Sequence, residues 1–466
     1  MAEREAAFWP TEKLIAGFAS HELSPLEVTE QVLARIEAFD GQLHSYLTPT
    51  PELARAQARE AEARYLSSRG EQALPPLLGV PISVKDLFDV RDVRTSLGSR
   101  VFRGTVAHAD SAAVSRLRRA GAVFLGKTNT SEFGQSATTE NLLGAGCGNP
   151  WDPERTSGGS SGGAAASVGA GLATAALGSD AGGSIRIPAA LCGLFGLKPT
   201  FGLLAGEGPF RAMTDFACSG PIVRRVADAR RFLAAVFDLE VGTGDPAARF
   251  RIGWCAAPDD LPVDPGVRAA VDRAVGLLDE LGHDVHPISL SFDGWMDAFA
   301  PLVLSDEWRY RRHLLDEHAD QLTDYARRSI EAGGQLGSAD LRAARALKAE
   351  VRRRVASLFD DYDLIVTPTT ACTAFPIGNR PREIDGQRVE SLWGPFPFTA
   401  PVNVSGSPAA SLPVGLADGL PVGLQVIGPE RGERALLDFC EQLEAAIEFP
   451  SGEMPLRWAG SPGQAS

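Results

Sequence analysis

The chain has only six cysteines (Cys147, Cys192, Cys218, Cys255, Cys372 and Cys440), scattered and with no C-x-x-C pair among them. That spacing argues against a disulfide framework and against a structural zinc site, and leaves buried, reduced thiols as the expectation. No uninterrupted apolar run reaches about 18 residues, so no membrane-spanning helix and no membrane partner are expected. The first ten residues carry Glu3, Arg4 and Glu5 and lack an apolar stretch of signal-peptide length, which points to a cytosolic, cytoplasmic protein. Lys and Arg total 45 against 59 Asp and Glu, a net charge of −14, and no run of one sign forms a basic tail or stripe. Nucleic acid is therefore disfavoured as a partner.

What is present is a long chain, 466 residues with 44% apolar content, enough to bury a large core. Ser24-Pro25-Leu26-Glu27 has the pattern of a helix start, with Ser24 as cap and Glu27 closing a capping box. Further helical patterns cover Pro51 to about Gly70, Ser111 to Ala120, Pro265 to Leu281 and Glu433 to Ala446. Strand-like runs fall at Val80 to Val84, Ala122 to Leu125, Phe250 to Cys255, Asp363 to Val366, Ala410 to Val414 and Val422 to Ile427. Strands separated by helices predict an α/β architecture with a sheet covered on both faces. Residues 295–359 form an Arg-rich, mostly helical stretch broken at Gly333-Gly334, an insertion or lid. With no repeat or low-complexity linker to force a boundary, residues 1–466 read as one domain.

The most unusual segments are Ser157-Gly158-Gly159-Ser160-Ser161-Gly162-Gly163 and Gly178-Ser179-Asp180-Ala181-Gly182-Gly183-Ser184-Ile185-Arg186-Ile187-Pro188. Glycines beside a serine let the backbone turn sharply and let bare amide groups approach a ligand oxygen. An oxyanion hole needs both properties. A flexible linker is the bland alternative, but the intervening Ala164 to Leu177 is apolar and packable. A serine nucleophile also needs a base. None of the seven histidines lies in either loop, whereas Lys85 ends the strand-like run Pro81 to Val84, where desolvation would lower its pKa toward neutrality.

Taken in order, Val84-Lys85-Asp86, Gly126-Lys127-Thr128-Asn129, Asn149-Pro150-Trp151, the two serine loops and Gly196-Leu197-Lys198-Pro199 resemble the amidase signature family over nearly the whole chain. The resemblance implies a large mixed β-sheet with helices on both faces and a triad of Lys85 as base, Ser160 as bridging serine after a cis peptide bond, and Ser184 as nucleophile. It further implies an oxyanion hole from the amides of Ala181, Gly182, Gly183 and Ser184, and no metal or organic cofactor. Asp180 and Arg186 look like supports for the loops. Small departures are Ser157 where proline often precedes the double glycine, and Ser179 where threonine is common. The expected partner is a small-molecule amide, with the chain a monomer or homodimer.

Substrate choice is less legible. Family members cleave amides, esters and sometimes carbamates. Phe133, Phe210, Phe216, Trp393, Phe396 and Phe398 hint at an aryl group, and Phe133 with the adjoining Gly134 are candidates for substrate contact. A second possibility within the family is the glutamine-hydrolysing subunit of a tRNA-dependent amidotransferase, although Phe201 to Pro221 does not look like that subunit's corresponding stretch. Gly121 to Thr128 also satisfies the P-loop pattern, but Ala122 to Leu125 reads as a strand rather than an irregular loop. The glycines at 144, 146 and 148 lack the spacing of a dinucleotide fingerprint.

Overall fold

The computed structural model describes residues 6–68, 73–204, 212–239, 242, 244–390, 392–447, 449 and 450. The strands, in chain order, are Tyr46–Pro49 (β1), Pro81–Lys85 (β2), Val123–Thr128 (β3), Gly148–Asn149 (β4), Asp152–Thr156 (β5), Ala175–Asp180 (β6), Phe195–Lys198 (β7), Cys218–Val223 (β8), Arg251–Trp254 (β9), Asp284–Pro287 (β10), Leu364–Pro368 (β11), Glu383–Ile384 (β12), Gln387–Arg388 (β13), Ala409–Ala417 (β14) and Leu420–Ile427 (β15). Eleven of them form one sheet in the order β1-β3-β2-β6-β8-β7-β14-β15-β11-β9-β10. Pairing is mixed. β2 runs parallel to β3 and β6, and β9 parallel to β10 and β11, while the strands between are antiparallel.

Alternation along the strands explains why both faces are covered. Ile82, Val84, Phe124 and Leu177 join one buried cluster with residues of the helices Ala112–Arg119, Val226–Phe237, Pro265–Glu280 and Glu433–Ala446. Val123, Leu125 and Ala176 face the opposite way, against Pro25–Leu43, Pro51–Ser67 and Gly162–Gly169. Local signals start these helices where expected. The Ser24 hydroxyl accepts from the amides of Leu26 and Glu27, and Asp264 caps the helix at Pro265 by accepting from Gly266 and Val267. The Ser24 hydroxyl also donates to Glu62.

The stretch 295–361 is helical, as Trp295–Arg311, His313–His318, Asp324–Gly333 and Ser338–Asp361, with the break after Gly333 at the double glycine. The first and last of these pack with Val402, Val404 and Ile365 in a third buried cluster.

The P-loop pattern falls on a strand. Lys127 lies on β3 and its ammonium is buried, 2.8 Å from Asp86 Oδ1 and 2.8 Å from Thr95 Oγ1. It holds β2 to β3 and is not free to meet a phosphate. No helix among the described residues is long and apolar enough to cross a membrane.

Candidate active site

β2 and β6 are parallel neighbours, with Ile82 opposite Ala175 and Val84 opposite Leu177, so both chains leave the sheet at the same edge. In parallel sheets that carboxyl-terminal edge is where ligands bind. Because Ile82 and Val84 face the first cluster, Ser83 and Lys85 face the helix Gly162–Gly169, and Ser83 Oγ lies 2.9 Å from Ser167 Oγ. Lys85 thereby points at the loop that opens this helix. Its Nζ lies 2.7 Å from Ser160 Oγ, 2.8 Å from Ser161 Oγ and 2.9 Å from Ser179 Oγ. The side chain is wholly buried, and burial lowers its pKa well below the ordinary lysine value, with the Asp180 charge opposing. Sequence alone does not mark Ser161 and Ser179 as partners of Lys85; the one signal is that each adjoins an expected site residue.

Gly159-Ser160 is a cis peptide bond. Thr139 braces the turn around it, its hydroxyl donating to Gly158 O at 2.8 Å and accepting from Gly162 N–H at 3.0 Å. A Cβ at Gly159 would fall 2.6 Å from the Thr138 carbonyl carbon, which is why the turn needs glycine there. The two serine loops are joined directly, Ser161 N–H donating to Ser184 O at 3.2 Å.

Asp180 and Arg186 organise the second loop. Arg186 Nε and Nη2 each lie 3.0 Å from an Asp180 oxygen, and the guanidinium also reaches Gln425 Oε1 and Asn403 Oδ1, both at 2.6 Å. Neither side chain is exposed. Burial alone would push the Asp180 carboxyl up, but Arg186, Lys198 and Asn403 outweigh it and hold it below the usual carboxylate range. Asp180 also accepts from Gly183 N–H at 2.7 Å and Ile185 N–H at 3.2 Å. The Gly183 amide, one of those expected in an oxyanion hole, thus donates within its own loop. Glycine is required at 183 for a different reason, since φ is 118° and a Cβ would sit 2.1 Å from Thr399 Oγ1.

Ser184, half-buried, lies in the wall of a cavity of about 330 Å³ with Ala181, Gly182 and Gly134. The rest of the lining is mostly apolar and includes Ile187, Met213, Phe299, Val303, Leu304 and Trp393. Trp393 meets Phe299 edge-on, ring centres 5.8 Å apart at 87°, and a methyl on Gly182 would come within 3.0 Å of its ring. No histidine, lysine or arginine is among the described residues lining it.

The aromatic expectations divide. Trp393 lines the cavity, and Phe216 packs behind Phe299 at 4.9 Å. Phe396 and Phe398 are core residues, and Phe210 lies outside the described residues. Phe133 does not line the cavity. Backbone φ values of 55° at Phe133 and 74° at Gly134 turn the ring away, under the Arg311 guanidinium at 4.3 Å, and leave only Gly134 in the wall. Among the described residues no group of three His, Cys, Asp or Glu side chains is placed to hold a metal.

Comparison with known proteins follows the same lines as this geometry. The Amidase family pattern matches residues 27–437. The chain belongs to the amidase signature family. It is thus an amide hydrolase by family, and its relatives show how broad that family is. It is 36% identical to a glutamyl-tRNA(Gln) amidotransferase subunit of Moorella thermoacetica, over 92% of this chain and 94% of the relative. A bacterial aryl acylamidase of the family superposes with a TM-score of 0.87 at 26% identity, covering 98% of this chain and 99% of that one. The corresponding amidotransferase subunit of Thermotoga maritima superposes at 0.75 with 25% identity, covering 96% of each chain.

Proposed function

We propose that this amidase is a serine amidohydrolase that cleaves the C–N bond of small, apolar carboxylic amides through an acyl-enzyme on Ser184. The observation that carries the reading is the buried Lys85 amine 2.7 Å from Ser160 Oγ, on a loop joined to that of the cavity-lining Ser184 by the Ser161 N–H bond to Ser184 O. A neutral amine has two N–H donors and one lone pair. Donating to Ser161 and Ser179 uses the donors and turns the lone pair to the Ser160 hydroxyl. Lys85 then takes the Ser160 proton as Ser160 takes that of Ser184, and Ser184 attacks the carbonyl. The amides of Ala181, Gly182 and Ser184 stabilise the tetrahedral oxyanion, about 3 kcal/mol for each donor in comparable sites. Ser160 returns its proton to the leaving nitrogen, and water later releases the acyl group by the same relay. No step needs a metal or an organic cofactor. The lining of Trp393, Phe299 and Met213 favours aryl amides, with aryl esters and carbamates as further substrates of the same acyl transfer. Residues 295–359 act as a helical wall over a single catalytic domain.

Replacing Ser184 by Ala should lower turnover by several orders of magnitude with the fold intact. Intact-mass spectrometry after a phosphonate or sulfonyl fluoride should find one adduct, on Ser184. Variant activity within about tenfold of the parent, or an adduct on cysteine, would sink the assignment.

The identity to amidotransferase subunits favours a second reading, a glutamine-hydrolysing subunit working in a complex. Against it, a free amino acid needs partners for an ammonium and a carboxylate, and the described lining offers no basic side chain. Its one acid, Glu390, is engaged, accepting from the amides of Leu392 at 2.8 Å and Trp393 at 2.6 Å. Glutamine turnover by the purified chain, or co-purification with partner subunits, would reverse the preference.

A further inference from the structure

Gly182 and Gly183 lead directly to Ser184, and two glycines in succession make the peptide that joins them the freest in the loop to rotate. Its rotation changes ψ at Gly182 and φ at Gly183, the torsions that relate the amide of Gly182 to that of Ser184. The structure holds this peptide at both ends. Its amide, Gly183 N–H, donates to Asp180 Oδ1 at 2.7 Å, and its carbonyl, Gly182 O, accepts from Thr399 Oγ1 at 2.9 Å. A peptide is planar with its N–H and C=O opposed, so the two bonds together fix the plane.

Thr399 reaches the loop from 217 residues further along the chain, just before the helix Ala400–Ser405, and it is wholly buried. One turn on, Asn403 Nδ2 donates to Asp180 O at 3.0 Å and to Asp180 Oδ1 at 2.9 Å. Side chains four residues apart thus grip the loop from one segment, and Val402 and Val404 anchor that segment in the third cluster beside Phe299 and Val303. The two ends of the clamp differ. Asp180 is braced by Arg186 and Asn403 together, whereas at the carbonyl end the donor is Thr399.

We propose that Thr399 is a positioning residue for the reaction, its hydroxyl holding the Gly182 carbonyl so that the amides of Gly182 and Ser184 stay aimed at the oxygen that becomes the oxyanion. The inference rests on the amidohydrolase reading above. Thr399 does not line the cavity, so its influence passes through the loop and not through contact with the seated substrate. Such an influence belongs to the transition state: a neutral carbonyl gains little from well-aimed donors, and an oxyanion gains much.

The test compares Thr399→Val, Thr399→Ala and Thr399→Ser on acetanilide, benzamide and phenylacetamide, following whichever of them the parent turns over. Valine keeps the shape, but its methyl cannot donate and needs more room beside the oxygen. Alanine removes the donor and leaves space, so it carries the test if the valine variant fails to fold. In both, kcat should fall about ten- to a hundredfold with KM within about twofold. The second readout is the Ki of an aryl trifluoromethyl ketone, whose carbonyl carbon bonds to Ser184 Oγ as the serine proton passes to Ser160 and the carbonyl oxygen becomes an oxyanion. Its Ki should rise by the same factor as kcat falls, and a Ki does not depend on how much of the sample is folded. Thr399→Ser, which keeps the hydroxyl, should stay within about threefold of the parent on every measure. An unchanged Ki in the valine and alanine variants overturns the proposal, as does a serine variant as impaired as alanine, which would assign the effect to packing of the methyl. In either case parent turnover leaves the amidohydrolase reading standing. A parent that neither hydrolyses an amide nor binds the ketone overturns both.

Discussion

Lys85 has its whole side chain out of water yet is surrounded by hydroxyls rather than carboxylates. An acid beside it would stabilise the ammonium and spoil the base. Serines can accept from a neutral amine and donate to it without adding charge. Since burial lowers the Lys85 pKa, the neutral form required for turnover is reached below the ordinary lysine value of about 10.4. kcat/KM should rise with pH through the folded pKa of Lys85 and fall on the acid side as the amine is protonated. Lys85→Arg keeps the charge but cannot deprotonate near neutrality, so it should be nearly as inactive as Lys85→Ala. Substantial activity in the Arg variant, or a pH profile flat on the acid side, would show that Lys85 is a structural charge.

At the scale of elements, the turn after β6 depends on a buried pair. Arg186→Met would leave the Asp180 charge buried without its guanidinium, held by Asn403 and the amides of Gly183 and Ile185 with Lys198 farther off, at a cost of about 3–5 kcal/mol in chemical denaturation. Arg186→Lys should recover little, because an ammonium cannot reach Asp180, Gln425 and Asn403 together. The pH dependence has a sign. Asp180 is held below its ordinary range in the folded chain, so its stabilisation is complete above the unfolded carboxylate pKa of about 3.9 and is lost as pH falls toward the folded value. In Arg186→Met that loss should move to higher pH.

These elements also mark how far the sequence can be read. Strands rich in β-branched residues, such as β2, β11 and β15, are legible to within a few residues, as are the capped helices at Pro25 and Pro265. β6 (Ala-Ala-Leu-Gly-Ser-Asp) and the helix Gly162–Gly169 are not, because small residues carry no periodicity and little propensity. Ser160 and Ser184 stand out because their loops are compositionally odd, and Lys85 because it ends the strand-like run Pro81 to Val84. Phe133 misleads for a backbone reason: two successive positive φ values reverse the side-chain direction, and nothing in residue identity announces that at a phenylalanine.

At the scale of the whole molecule, hydrogen bonds tie the helical layer to the segment around Glu132 and Glu140, beside Gly134 of the cavity wall. Tyr325, on Asp324–Gly333, accepts from Glu132 N–H at 2.6 Å and donates to Glu140 O at 3.2 Å, while Glu132 Oε2 accepts from Thr323 N–H at 2.7 Å. Tyr325→Phe should leave the Glu132 amide buried and unpaired, lowering stability by about 1–3 kcal/mol. Hydrogen exchange should quicken first in 324–333, whereas exchange changing equally throughout would mean that the layer does not open separately. The cavity walls differ in another respect. Gly158, Gly159 and Gly163 of the first serine loop abut other backbone, a Cβ on Gly163 falling 2.4 Å from Asn129 N, so those positions admit almost no substitution. Phe299, Val303 and Leu304 come from the helical layer, and Trp393 from a surface loop, where side chains meet side chains. Mutational freedom is thus partitioned, and a laboratory evolution library confined to those four positions should change the range of amides accepted while sparing the chemistry, so new specificities can be reached without passing through inactive ancestors.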